Sequence, residues 1–400
     1  MRSAAVGIWL AVGARDEQPR LNGAAHFLEH LLFKGTGRRS ALDISATLEA
    51  VGGELNAFTS RENTAYYARV IDADLPLAVD VLSDMLTGSV IRPEDVESER
   101  QVILEEIAMH DDEPGDVANE GLFSALFGHD HLGRPVIGTR QTLTEMTRQD
   151  VHQFYRERYR PERTVVAVAG NVTHAAVLAA VQESLGGAGW DAAMAPDPLR
   201  SPTAVPAAAA QTVVVERPTE QAHLAMGVPT FDRRDRRRHA LAVLVTAVGG
   251  GMSSRLFQRV REERGLVYAI SSYVSHHAGA GLLGTYAGTS AGRLPEVIEV
   301  ITAECADIRA GGLSSEEIER ARGQLRGSLV LGSEDSGSRM NRLGASELGY
   351  GEYLSLSEHV QRITAVTDDE VHTLAAELLA QPWTLSVVGP VTAAQLGSAA

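Results

Sequence analysis

The chain has 400 residues, 44% of them hydrophobic but only 5% aromatic, with a formal net charge of −16 and a single cysteine. That length exceeds one ordinary domain and supports two aliphatic cores. The charge opposes nonspecific nucleic-acid binding and adhesion to anionic membranes, and one thiol, Cys305, excludes an intrachain disulfide.

Residues 1–14 open with Met1 and Arg2 and continue in small apolar residues. They mimic a short signal peptide with a small-residue exit, but the run is too short to span a bilayer. Next, His26-Phe27-Leu28-Glu29-His30 lies in an apolar, helix-compatible stretch. At about 100° per residue, His26 and His30 project about 40° apart and Glu29 flanks the same face at about −60°. Two imidazoles can then reach one zinc ion, with a carboxylate beside it able to take a proton from water whose pKa the metal brings toward about 7. The order His-x-x-Glu-His is the inverted form of the commoner zinc motif. A catalytic zinc normally has three protein ligands, so a third is required.

Gly52 and Gly53 form a tight bend into an alternating strand that contains Asn56 and Ala57. Residues 93–107 begin with Pro93 and then acids, a helix start with negative charge at the positive end of its dipole. Glu99 and Glu106, seven apart, share a face within about 20°, whereas Glu105 points about 100° away from Glu106. Either Glu105 or Glu106 can complete the donor set, and spacing does not choose between them.

Thr147 and Asp150 form a helix-cap pattern ahead of an apolar strand at 164–170. A Gly-rich start at 186–190 then runs into a Pro/Ala/Ser-rich stretch, which reads as an exposed connector over 187–211. The arginine run at 233–238, interrupted by Asp235, reads as a solvated helix end, and the triple glycine at 249–251 lacks any phosphate-loop context. Thr367 and Glu370 repeat the cap, followed by a strand at 384–389. Further pairs are Leu75-Pro76 with Leu294-Pro295, and 93–96 with 315–318, all offset by about 220 residues. This period is far beyond those of solenoids and indicates a duplicated globular unit. The expected domains are 1–186, a linker at 187–211, and 212–400. Each is α+β, a mostly antiparallel sheet layered with helices. Setting Gly35 against Gly251 places Ala242, Val245 and Thr246 opposite His26, Glu29 and His30, with Ser328 near Glu106. The second copy therefore has no metal donors.

Residues 23–36 together with 102–107 closely resemble the pitrilysin/insulinase metallopeptidases, most of all the branch containing the mitochondrial processing peptidase β subunit and its bacterial relatives. In that family the third ligand is a glutamate 76 positions after the second histidine, which counted from His30 is Glu106. The resemblance implies one Zn2+ per chain on His26, His30 and Glu106, with Glu29 as base and then acid. It makes Glu99 a supporting carboxylate, consistent with ligands being oriented by outer partners. It places Asn56 and Ala57 on a cleft-lining edge strand that contacts the substrate backbone, which suits recognition by strand addition. Residues 249–268 resemble the family's second signature, which implies that Arg261 and Tyr268 steady the oxyanion. The two halves would face each other across a cleft. The resemblance also implies a further strand upstream, an Asn-Gly-Leu segment with no counterpart here.

The function expected is zinc endopeptidase cleavage of extended peptides or unfolded precursor segments, in the cytoplasm, without nucleic-acid or membrane partners. The expected assembly is a homodimer, with a mixed pair alongside an inactive homologue as the other arrangement. The rival from another class is a non-catalytic scaffold or partner subunit. A dedicated maturation peptidase shares the chemistry and differs only in substrate.

Overall fold

The N-terminal apolar run becomes the central strand β1 (Ser3–Leu10), buried along almost its whole length. A computed structural model describes residues 2–128, 130–186, 190, 197–201 and 203–396. Strand β1 lies between β3 (Thr64–Ile71) and β4 (Thr164–Gly170), with β2 (Glu54–Thr59) outside β3. All pairs in this sheet are antiparallel. One face carries α1 (Ala24–Leu31), α2 (Ala41–Glu49), α3 (Leu75–Gly88) and α4 (Pro93–Asp111), whose Phe27, Leu28, Leu31, Leu82 and Ile103 join one buried core. Cover on both faces explains why β1 is continuously apolar rather than alternating.

The chain falls into two compact units: 1–108 with 134–199 and 332–353, and 109–133 with 200–331 and 354–400. Helix α5 (Pro114–Phe127) belongs to the second unit, whereas α6 (Arg140–Glu145), α7 (Arg148–Arg158) and α8 (His174–Gly186) stay in the first. The second unit's sheet has the order β5-β9-β6-β8-β7, from β5 (Thr212–Glu216), β6 (Ala222–Thr230), β7 (Val267–His277), β8 (Ala280–Thr289) and β9 (Thr384–Gly389). Only β5 runs parallel to its neighbour β9. Its helices are α9 (Arg238–Gly249), α10 (Leu294–Gly311), α11 (Ser315–Gly332), α13 (Leu356–Thr364), α14 (Asp368–Leu378) and α15 (Ala393–Leu396), while α12 (Ser336–Tyr350) joins the first unit.

The repeat is thus present, with one difference from contiguous halves at 186 and 212: each unit takes a helix from the other copy. In the first unit α12 lays Met340 on the far face of the sheet, among Trp9, Ala65, Ala167 and Ala169. In the second, α5 packs Leu122, Phe123 and Leu126 against Ala225, Leu282 and Val388. Pattern reading locates a helix but not the sheet it covers. Both threonine caps form, since Asp150 N–H donates to Thr147 Oγ1 and Glu370 N–H to Thr367 Oγ1, each at 3.2 Å.

Residues 187–189, 191–196 and 202 of the expected linker lie outside the described residues. Part of the rest is not free. Val205 N–H donates to Gly279 O at 2.9 Å and Ala208 N–H to Leu126 O at 2.8 Å, because Val205 and Ala207 pack on the apolar face of α5. Among the described residues no helix is long and apolar enough to cross a membrane.

Candidate metal centre

Helix α1 buries Ala24, Ala25, Phe27, Leu28 and Leu31 and leaves His26, Glu29 and His30 half-buried on the remaining face. This is the 3.6-residue periodicity of an amphipathic helix with its polar stripe aimed at a site. The imidazoles sit edge to face, ring centres 4.8 Å apart. Glu106 comes from α4, and its Oε2 lies 3.8 Å from His26 Nε2 and 3.5 Å from His30 Nε2. Glu105 on the same helix is exposed. Ligands of a tetrahedral zinc at bonds of about 2.0–2.1 Å stand about 3.3–3.5 Å apart. Two nitrogens and a carboxylate oxygen within 4.8 Å of one another therefore fit a divalent ion by both donor type and spacing.

One heptad before Glu106, Glu99 is 4% exposed and its Oε2 accepts from His30 Nδ1 at 3.1 Å. Lys34 Nζ lies 2.6 Å from the other oxygen. This contact places the proton of His30 on Nδ1 and leaves the lone pair of Nε2 free to bind a metal beside Glu106. Burial, with the charge of His30 beside it, pushes His26 down to about 4, so His26 is held neutral as a ligand must be. Burial also raises Glu29 above the ordinary carboxylate range, opposed by a hydrogen bond from Thr59 and the nearby His30, and reinforced by Glu106. Its Oε2 is buried without a hydrogen-bond partner, as is Nδ1 of His26.

Asn56 and Ala57 lie on β2, an edge of the first sheet, with Asn56 exposed and its Oδ1 accepting from Ala57 N–H at 2.8 Å. Arg261 and Tyr268 lie in the second unit. Arg261 is in a π-helical turn, Phe257–Glu262, and its Cζ stands 4.7 Å from the Phe257 ring centre and 5.5 Å from that of Tyr268. Read without the resemblance, Tyr268 passes for a strand residue near the core; instead it is 77% exposed, at an irregularity where the β7 register to β8 shifts. A bulge re-aims a side chain out of the pleat, and both π-turns and bulges recur at functional sites.

Sequence reasoning missed three residues around this centre. Lys34 and Thr59 gave no pattern of their own. Glu17 is buried, and its carboxylate accepts from Asn22 Nδ2 at 3.0 Å, Gly23 N–H at 2.8 Å and Ala25 N–H at 2.7 Å. Burial pushes that carboxyl up to about 8 against those donors.

Comparisons with known proteins agree with this architecture. Residues 1–140 match the sequence model of the insulinase family, peptidase family M16, and residues 145–325 match a model described as the peptidase M16 inactive domain. The chain belongs to that family, and its fold is the α+β fold of the pitrilysin/insulinase metallopeptidases. It is 51% identical over 393 residues to an uncharacterized zinc protease of Streptomyces coelicolor, spanning 98% of this chain and 86% of the relative. It is 37% identical to one of Bacillus subtilis, spanning 98% and 94%. A protease from Helicobacter pylori has a solved structure similar to this one, with a TM-score of 0.87 at 20% identity, covering 98% of this chain and 94% of that one. A peptidase M16 inactive domain from Pseudomonas fluorescens superposes with a TM-score of 0.88 at 19% identity, over the same shares of the two chains.

Proposed function

We propose that this chain is a zinc endopeptidase that cleaves extended peptides or unfolded protein segments. The observation that carries the reading is the convergence of His26, His30 and Glu106 beside a buried, partly unpartnered Glu29. His26 Nε2, His30 Nε2 and Glu106 would hold one ion per chain, and Glu99 with Lys34 would hold His30 in place. Bound zinc supplies Lewis acidity that brings the pKa of water toward about 7. Glu29 Oε2 takes the proton of the attacking water and afterwards returns it to the leaving amine nitrogen, a role that suits a carboxyl whose proton affinity burial has raised. The β2 edge aligns the substrate backbone by strand addition at Asn56 and Ala57. On the likeness of the 249–268 signature, Arg261 and Tyr268 are assigned to steadying the oxyanion.

The test is zinc quantitation of the purified chain combined with a peptide-library digest, with and without chelator. The expected result is about one zinc per chain and cleavage that chelation abolishes. Glu29→Gln should keep its zinc while losing roughly 10²–10⁴ in kcat. Full activity in that variant removes the mechanism. A zinc-free chain with no cleavage supports the rival reading of a non-catalytic partner subunit. Light scattering on the same preparation checks the proposed homodimer, and fractionation of cells its cytoplasmic location.

A further inference from the structure

Helix α1 begins at a residue that cannot cap it. Its N-cap, Gly23, has φ +97° and no side-chain hydrogen bond to the first turn. A Cβ there would meet Ile137 O at 2.8 Å and Gly138 Cα at 2.9 Å, so no capping side chain fits. The first turn nevertheless carries His26, and first-turn N–H groups have no partner within a helix. A frayed first turn would swing His26 away from His30, which sits one turn further in.

The missing cap comes from six residues upstream. Glu17 is 1% exposed and spends both carboxylate oxygens on this turn, Oε1 on Ala25 N–H at 2.7 Å and Oε2 on Gly23 N–H at 2.8 Å and Asn22 Nδ2 at 3.0 Å. In its ionised form, which these three donors favour against burial, the carboxyl makes charge-assisted hydrogen bonds to the helix start and complements its dipole. Glu17 is itself anchored, since Arg134 Nη1 donates to its backbone oxygen at 3.1 Å. Asn22 Nδ2 also donates to Pro135 O at 3.0 Å, which ties the same loop to the cap.

We infer that Glu17 is a positioning residue for the metal centre: it caps α1 in place of Gly23 and thereby fixes His26 against His30 and Glu106. This rests on the zinc-site reading above, and the experiment separates the two. Zinc affinity of the full chain is measured by chelator competition for the unmodified protein, for Glu17→Gln, and for Gly344→Ala, a variant destabilised elsewhere in the same unit. The visible absorption bands of the cobalt-loaded proteins are recorded alongside. Glu17→Gln replaces one accepting oxygen by an NH2 that faces an N–H, and should weaken zinc binding roughly tenfold to a hundredfold and shift the cobalt bands. Gly344→Ala should change neither. Unaltered zinc affinity and cobalt bands in Glu17→Gln overturn the inference, as does an equal loss in both variants. Should Glu17→Gln not fold, amide exchange of the unmodified, metal-free protein decides: slow exchange at Gly23 and Ala25, as in the middle of α1, upholds the cap, and loop-like rates there overturn it. An unmodified chain that takes up no zinc sinks the metal reading instead, and the exchange measurement then judges the cap alone.

Discussion

Helices α1 and α9 hold corresponding places in the two units, α1 against β2 and α7, α9 against β7 and α14. Their polar content differs completely. Where α1 presents His26, Glu29 and His30, α9 presents Ala242, Val245 and Thr246, and the Thr246 hydroxyl is spent on Ala242 O at 2.8 Å. At the matching positions of α9 the polar group, the Thr246 hydroxyl, is bonded within the helix, whereas α1 leaves His26 Nδ1 and Glu29 Oε2 buried without partners. An orphaned buried polar atom costs about 1–3 kcal/mol, so the α1 face carries a stability cost that the matching positions of α9 do not. The same scaffold thus carries one helix with a cluster of possible metal donors and one with none at the matching positions.

Paired substitutions at matching positions break or sharpen that contrast most strongly. Glu106→Ala should eliminate stoichiometric zinc and lower peptide cleavage by about 10³ or more, because a three-ligand site reduced to two no longer holds its ion. Ser328→Ala, at the equivalent place in the second copy, should leave zinc and activity unchanged. Equal behaviour of the two variants, by metal analysis and a peptide assay, ends the division of labour. Arg261→Ala should come next, with kcat lowered by roughly 10²–10³ and zinc content untouched, as for loss of an oxyanion donor. A drop confined to KM would instead make Arg261 a substrate-binding group.

This division was legible in the sequence because its carriers are local. The His-x-x-Glu-His run, the acidic heptad on α4 and the two threonine caps each follow from spacing within one element, and the structure has them there. Glu106 over Glu105 was different: geometry along α4 left both open, the resemblance pointed to Glu106, and the structure half-buries Glu106 beside the two histidines while Glu105 is exposed. Glu17 was invisible because a cap is looked for next to the helix start, and here Gly23 forbids it. The exchanged helices α5 and α12 were hidden for a related reason, since an apolar face does not state which sheet it will meet. The bulge at Tyr268 breaks the two-residue alternation that strand reading assumes.

Buried histidines give a subtler contrast. His26 in the first unit and His276 in the second are both pushed down to about 4, each first by burial, the latter also by His277, Arg233 and Arg238. A metal would use His26 in its neutral form; His276 has Nδ1 buried without a partner and no such use. A histidine neutral in the fold but protonated in the unfolded chain below its ordinary 6.5 removes stability as pH falls from 6.5 toward 4. His276 should therefore cost up to about 2–3 kcal/mol between pH 7 and 4.5, and His276→Gln should flatten that part of the decline in urea titrations of the metal-free protein. Parallel declines in the two proteins contradict it.

The smallest effect distinguishes the two exchanged helices. A Cβ on Gly344 of α12 would lie 2.4 Å from the Trp9 ring, and that indole is pinned by its Nε1–H donated to Met340 Sδ at 3.3 Å. Gly344→Ala gains about 1 kcal/mol of helix propensity but must displace a rigid ring, at about 1–3 kcal/mol, so net destabilisation of the first unit is expected. On α5, a Cβ at Gly121 meets only Ser386 Oγ at 2.3 Å, with Ser386 Cβ at an ordinary 3.4 Å. That hydroxyl is buried without a hydrogen-bond partner, so it can rotate away without losing a bond. Gly121→Ala should then be neutral or slightly stabilising. Thermal midpoints of the two variants should move in opposite directions or differ clearly in size, and a larger loss for Gly121→Ala would show that α5, not α12, is the more tightly seated of the two.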